Sequence, residues 1–355
     1  MPSPVFSAAH TAAPADLALP QHTPLVAAVR DGLVESVHYG SAVALGADGS
    51  VAATAGDPLA PFYPRSALKP LQAVAMVRAG LELPADLLAL AAASHSGASA
   101  HRDGALRILE LHGLAPMDLE NSTDLPYGTA EREDWLRTGG SATQITQNCS
   151  GKHAAMVATC KINGWPVRGY LDPSHPLQQL VAETVIDLTG EEPAALSTDG
   201  CGTPLFALTL GGMARAFGRI AQAAAASLEG SNDDVSPEAA VGLAMQQHPE
   251  MVAGEGRDVT ALMRLVPGAV AKDGFEGVQL VGLPDGSAVA VKISDGGDRA
   301  RMPATVRLLE ALGVDAGPLA GIATSPVLGG GHPVGQLLAT DFLNMNQSTP
   351  DNEAL

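Results

Sequence analysis

The sequence predicts an α+β fold, an antiparallel sheet formed by N- and C-terminal strands and packed with a mostly helical middle. Three observations predict it. Short β-rich runs with turn signals stand near the start, a second set stands after Pro267, and apolar residues at helical spacing fill the stretch between. No charge block, low-complexity tract, repeat or Pro/Ser linker divides the sequence. Although 355 residues could make two domains, one two-lobed folding unit over residues 23–340 is expected. Residues 1–22 are read as an extension and 341–355 as a tail.

Taken in order, Leu25 to Val29 and Val34 to Leu45 read as strands about Asp31-Gly32, ending before the turn Ala47-Asp48-Gly49. Pro58, Pro61 and Pro64 then force an extended approach. From Ser66, Leu68, Leu71, Val74, Ala75 and Val77 recur at helical spacing until Gly80, which puts Ser66 at a helix N-terminus. Helices are predicted over Leu87 to Ala93, Asp103 to His112, Lys152 to Asn163, Pro176 to Leu188 and Phe206 to Leu228. Strands return over Ala269 to Lys272, Gly277 to Leu283 and Ser287 to Ile293, and a last helix over Met302 to Leu312.

Composition excludes several functions. The net charge of −18, with no basic patch, would repel nucleic acid and anionic lipid. Aromatics are 3% of the residues, too few for a stacking platform, so Ala, Leu and Val must fill the core. No apolar run reaches the roughly 18 residues of a membrane span, and the N-terminus lacks a basic-then-apolar leader. A cytoplasmic protein is expected. Cys149, Cys160 and Cys201 read as reduced thiols, Cys160 as a small core residue.

Ser66-Ala67-Leu68-Lys69 puts a hydroxyl and an amine one helical turn apart on one face. A serine hydroxyl is a weak nucleophile until a base takes its proton, and a lysine can be that base only when burial or a neighbouring cation lowers its pKa. Lysine is scarce here: five against fifteen arginines, with Lys69, Lys152 and Lys272 in Gly/Ser/Cys-rich settings. Arginine could not replace them, because it does not deprotonate. Lys272, before Asp273-Gly274, reads otherwise as a strand-end cation. The run Gly329-Gly330-Gly331 lacks a P-loop lysine and is read as a turn. His101, His153 and His175 show no metal-ligand spacing and are read as structural or surface residues.

Six segments, Val29 to Ser36, Tyr63 to Pro70, Ser94 to Gly97, Asn148 to His153, Asp199 to Pro204 and Ala271 to Gly274, occur in this order. Together they resemble the asparaginase II family of the Rhizobium etli type, from about Thr23 to Leu338. The resemblance implies a β-lactamase/glutaminase-like fold and hydrolysis of L-asparagine to L-aspartate and ammonia. It implies two Ser/Lys pairs, Ser66 with Lys69 and Ser94 with Lys272. Ser66 is taken as the acylated residue, with exchange of roles left open and Ser96 the competitor for Ser94. Arg65 is expected to clamp the substrate α-carboxylate and Asp199 its α-ammonium, a structural salt bridge being the alternative for either. His95, Gly200 and Cys201 are placed beside the substrate.

The resemblance also implies a metal corner, for zinc, at Cys149 and Lys152. Its third ligand is expected from the segment Gly256 to Thr260, where Asp258 is the available acid. The chemistry itself needs no cofactor, and a homodimer is implied. Two other functions stay open. A penicillin-binding or β-lactamase-type hydrolase would use the same Ser-x-x-Lys logic, and a catalytically silent amino-acid-binding protein would need nearly the same pocket.

Overall fold

The computed structural model describes residues 19–229 and 235–345. Ten strands are found among them: β1 (Thr23–Arg30), β2 (Leu33–Leu45), β3 (Val51–Ala55), β4 (Ala195–Thr198), β5 (Pro204–Ala207), β6 (Val270–Gly274), β7 (Val278–Gly282), β8 (Ala288–Ile293), β9 (Ser325–Gly329) and β10 (His332–Ala339). Eight form one sheet in the order β6-β7-β8-β2-β1-β10-β9, with β3 also on β2. Every pairing is antiparallel. The two ends of the fold meet twice, at β2 on β8, from Gly40 opposite Ile293 to Leu45 opposite Ala288, and at β1 on β10, from Val26 opposite Ala339 to Arg30 opposite Gly335.

Two helices pack on this sheet, Leu210–Glu229 and Arg301–Ala311. Every residue of β6 and β7 is buried, so the sheet is covered on both faces there. The approach of the first helix depends on one glycine. A Cβ on Gly282 would lie 2.0 Å from the carbonyl oxygen of Phe217, so no larger residue fits that crossing. The helical lobe is built round Lys69–Arg78, buried without interruption from Lys69 to Met76. Its core is alanine, leucine and valine, with Tyr170 and Phe217 among the few buried rings.

The predicted helix from Phe206 begins instead at Leu210, because Pro204–Ala207 is β5, paired with β4 in a two-stranded sheet. Helices at Thr129–Arg137, Pro237–Gln247 and Asp258–Leu265 lie in stretches where no element was expected. The glycine run is the turn between β9 and β10, a hairpin beyond the predicted strands. Both ends reach further than expected. His22 Nδ1 lies 3.0 Å from Ser41 Oγ, and Phe342 is fully buried in a helix at Phe342–Met345. Of the predicted extension and tail, residues 1–18 and 346–355 lie outside the described residues. Among the described residues no helix is long and apolar enough to cross a membrane.

Candidate active site

The proline-rich approach pairs Phe62 with Leu208 and ends at Arg65, whose φ of 53° is left-handed for a residue with a side chain. A 3-10 turn, Arg65–Leu68, follows, with Ala67 N–H donating to Pro64 C=O at 3.1 Å, and runs into the helix Lys69–Arg78. Ser66 therefore sits in the turn before the helix, with Lys69 at the helix start.

A cavity of about 170 Å³ opens over this turn, lined by Arg65, Ser66, Lys69, Asp199, Cys201 and Phe275 among others. A crevice of about 10 Å³ continues inward between Ser66 and Ser94, bordered by Asp273 and Gly274. Ser66 lines both spaces, whereas Ser94 lines only the crevice.

The pairing of serines and lysines differs from the expected one. Lys69 Nζ donates to Ser94 Oγ at 2.7 Å, and no hydrogen bond of the Ser66 hydroxyl is found among the described residues. Lys272, fully buried, donates to the Asp273 carbonyl oxygen at 2.8 Å and to the Asp273 carboxylate. Asp273 also takes a hydrogen bond from Arg257 at 2.9 Å. Ser96, the competitor for Ser94, is buried with its hydroxyl unpartnered and lines neither space.

Burial sets the protonation of both amines. It pulls Lys69 below its ordinary value, against the attraction of the Cys149 side. It pulls Lys272 down to about 8, although Asp273 opposes it. The approach of β6 to the Ser66 turn explains the glycine two residues after Lys272. A Cβ on Gly274 would lie 2.3 Å from Pro64 O and 3.4 Å from Ala67 N. Gly274→Ala is therefore expected to push strand and turn apart, lowering stability by about 1–3 kcal/mol and activity by at least tenfold. Thermal melts and turnover on the purified variant would check both, and an unchanged melt would refute the contact.

Of the expected recognition residues, Arg65 Nε donates to Asp199 Oδ1 at 2.7 Å, so the two close on each other. Gly200 and Cys201 line the cavity beside them. His95 does not line it. Its imidazole is fully buried behind Ser94, 3.0 Å from Ser150 Oγ and stacked on His101, and burial holds it well below the usual histidine range.

The metal corner is rearranged as well. Asp258 is not part of it, because its carboxylate accepts from Arg301 at 3.1 Å on the helix Asp258–Leu265. The third thiol-side residue is Cys201: ligand atoms of Cys149, His153 and Cys201 lie within 4.8 Å of one another. Lys152 Nζ is 3.2 Å from Cys201 Sγ and 3.1 Å from Thr203 Oγ1. His153, read from spacing as structural, donates or accepts at Nδ1 with Tyr170 while its buried Nε2 has no partner. Two soft sulfurs and an orphaned imidazole nitrogen fit a thiophilic dication such as zinc, whereas Lys152, held above its ordinary value against burial by Cys201, Cys149 and Asp199, would have to give up its proton to join them. Cys160 is a buried core residue, and all three cysteines are free.

Tyr127, Asn148 and Phe275 also line the site, and the sequence reading assigned them no role. The rings of Tyr127 and Phe275 meet edge to face with centroids 5.7 Å apart. Arg257 lies over Tyr127 and Arg65 over Phe275. In a sequence with six phenylalanines and four tyrosines, a phenylalanine directly after Lys272-Asp273-Gly274 was the available signal.

Its family defines this protein as a hydrolase. The model of the L-asparaginase II family matches residues 26–339, nearly all the described residues, and the protein belongs to that family. No curated protein matches it significantly. Among solved structures, a β-lactamase from Mycobacterium bovis is 15% identical, covering 77% of this protein and 94% of that one, with a TM-score of 0.35. EstCE1, a hydrolase with promiscuous acyltransferase activity, is 13% identical over 81% of this protein and 92% of its own length, with a TM-score of 0.38.

Proposed function

We propose that the protein hydrolyses the side-chain amide of L-asparagine through an acyl-enzyme on Ser66. The observation that carries this reading is the position of Ser66, the one serine of the pair that borders the open cavity containing Arg65 and Asp199. A zwitterionic amino acid would separate that ion pair, its carboxylate taking Arg65 and its ammonium taking Asp199. The amide carbon then lies over Ser66.

Lys69, with its ammonium disfavoured by burial, takes the serine proton as the Oγ–C bond forms. Backbone N–H groups at the head of the turn stabilise the oxyanion. Ser94, in contact with Lys69, passes a proton to the departing nitrogen as the C–N bond breaks, and ammonia leaves. Water then cleaves the ester to give aspartate. Lys272, held on Asp273, stands at the inner end of this relay, where burial and the charge of Lys69 lower its basicity. Cys149, Cys201 and Lys152, with His153, would hold a zinc ion, whose positive charge would keep the thiols ionised and the Asp199 loop in place.

Mass spectrometry after brief mixing with L-aspartic acid β-hydroxamate tests the assignment. An aspartyl mass increment on the peptide containing Ser66, absent in Ser66→Ala, is the expected result. An increment on Ser94 would exchange the two roles, and wild-type ammonia release by Ser66→Ala would end the reading.

A further inference from the structure

One space beside the site has no part in the chemistry above. It is a second cavity, of about 460 Å³, on the other side of Arg65. Only one layer of residues separates the two spaces. Arg65 lines both; Thr198 lines the larger cavity and the next residue, Asp199, the smaller; Glu276 lines the larger and Phe275 the smaller. The partition is thus the Arg65–Asp199 ion pair with the Phe275 ring, 5.8 Å from the guanidinium carbon. This is the same ion pair that a substrate must open.

The chemistry of the larger cavity is that of an amino-acid residue rather than of a polar ion. Phe62, Leu205 and Leu210 give it an apolar lining. Lys292 also lines it, and its ammonium donates to the carbonyl oxygens of Glu276 and Ile293 and so keeps one N–H free. His22 stands beside it on Ser41. Asp57 and Glu276 also line the space, which limits the negative charge it accepts to a single group.

We propose that the enzyme also deamidates the N-terminal asparagine of a dipeptide whose second residue is apolar, with that residue seated in the larger cavity. The α-ammonium stays on Asp199, the peptide carbonyl replaces the free carboxylate at Arg65, the apolar side group lies against Phe62, Leu205 and Leu210, and the C-terminal carboxylate meets Lys292. The reaction is the same: the C–N bond of the asparagine amide breaks, ammonia leaves, and water releases L-aspartyl-Xaa from the ester. This inference rests on the asparaginase reading.

The test is ammonia release by the full-length protein from L-asparagine, L-asparaginyl-L-leucine, L-asparaginyl-L-leucinamide and L-leucyl-L-asparagine. The expected order puts asparaginyl-leucine within about tenfold of asparagine in kcat/KM, the leucinamide at least fivefold lower, and leucyl-asparagine, with no ammonium for Asp199, lower still. Ala60→Trp, at a half-exposed position lining the larger cavity, should cost asparaginyl-leucine at least tenfold and leave asparagine within twofold. Hydrolysis of asparagine with asparaginyl-leucine more than a hundredfold slower would overturn the inference alone, as would equal loss of both substrates in Ala60→Trp. No ammonia from any of the four would overturn it together with the asparaginase reading.

Discussion

Lys69→Met is expected to lower ammonia release from L-asparagine by about 10³-fold or more while the variant melts at or above the temperature of the parent. The two effects separate because the lysine is almost wholly buried, at 2% exposure, with Ser94 Oγ as its hydrogen-bond partner. A buried ammonium costs several kcal/mol of desolvation that a methionine of similar length does not. A residue retained only for packing would behave the other way, losing stability first and activity in proportion. The measurements are turnover by single-substrate ammonia assay and a thermal melt. A melt lowered by several degrees with activity reduced only in step would show that Lys69 is structural. Rescue distinguishes further: in Lys69→Ala a small exogenous amine has room to enter beside Ser94 and is expected to restore part of the rate.

Five strands of the large sheet, β1, β2, β6, β7 and β8, were legible in the sequence because local patterns mark them, whereas β3, β9 and β10 were not expected. The turn at Asp31-Gly32 and the β-rich runs Leu25 to Val29, Val34 to Leu45, Gly277 to Leu283 and Ser287 to Ile293 mark β1, β2, β7 and β8 without reference to distant residues. β4 and β5 were not, since a four-residue strand such as Pro204–Ala207, Pro-Leu-Phe-Ala, continues without a break into the apolar periodicity of the following helix. The helix Thr129–Arg137 escapes for the opposite reason: none of its residues is buried, so it carries no apolar stripe.

The site followed the same division. Ser66 and Lys69 were named from a short motif and Ser94 with Lys272 from the family resemblance, but which amine meets which hydroxyl is decided by tertiary packing. Lys272 is bound by its own neighbour, Asp273, and Lys69 reaches across to a loop 25 positions later. Asp258 illustrates the cost of choosing a ligand by type alone. An acid in the right segment was available, yet Arg301, from a helix 43 positions later, holds it. Cys201, expected beside the substrate, is brought to Cys149 and His153 only by the fold.

The second large effect concerns Lys272 and pH. Its ordinary value is 10.5 and burial brings it to about 8 in the folded protein, with Asp273 opposing the fall and Lys69 and Arg257 adding to it. Asp273 in turn is held far below the usual carboxylate range by Lys272, Arg301 and Arg257, against burial. Below about pH 8 the lysine is protonated in both the folded and the unfolded protein, and the folded state bears the whole penalty of a buried cation. Between about 8 and 10.5 the unfolded state still binds a proton that the folded one has released, so this group makes stability rise with pH. The separation of the two values is worth roughly 3 kcal/mol at most.

Chemical denaturation of the parent and of Lys272→Met from pH 6.5 to 10 reads this directly, because groups common to both proteins cancel in the difference. The parent is expected to gain on the variant by between about 1 and 3 kcal/mol over that range. In the same interval kcat/KM of the parent should rise through an apparent value near 8 as the amine at the inner end of the relay loses its proton. Parallel stability curves would mean that Lys272 keeps its ordinary basicity, its pairing with Asp273 outweighing burial. A falling rate over the same range would mean that the protonated form is the working one, and that Lys272 donates to the leaving nitrogen instead of drawing protons away from Ser94.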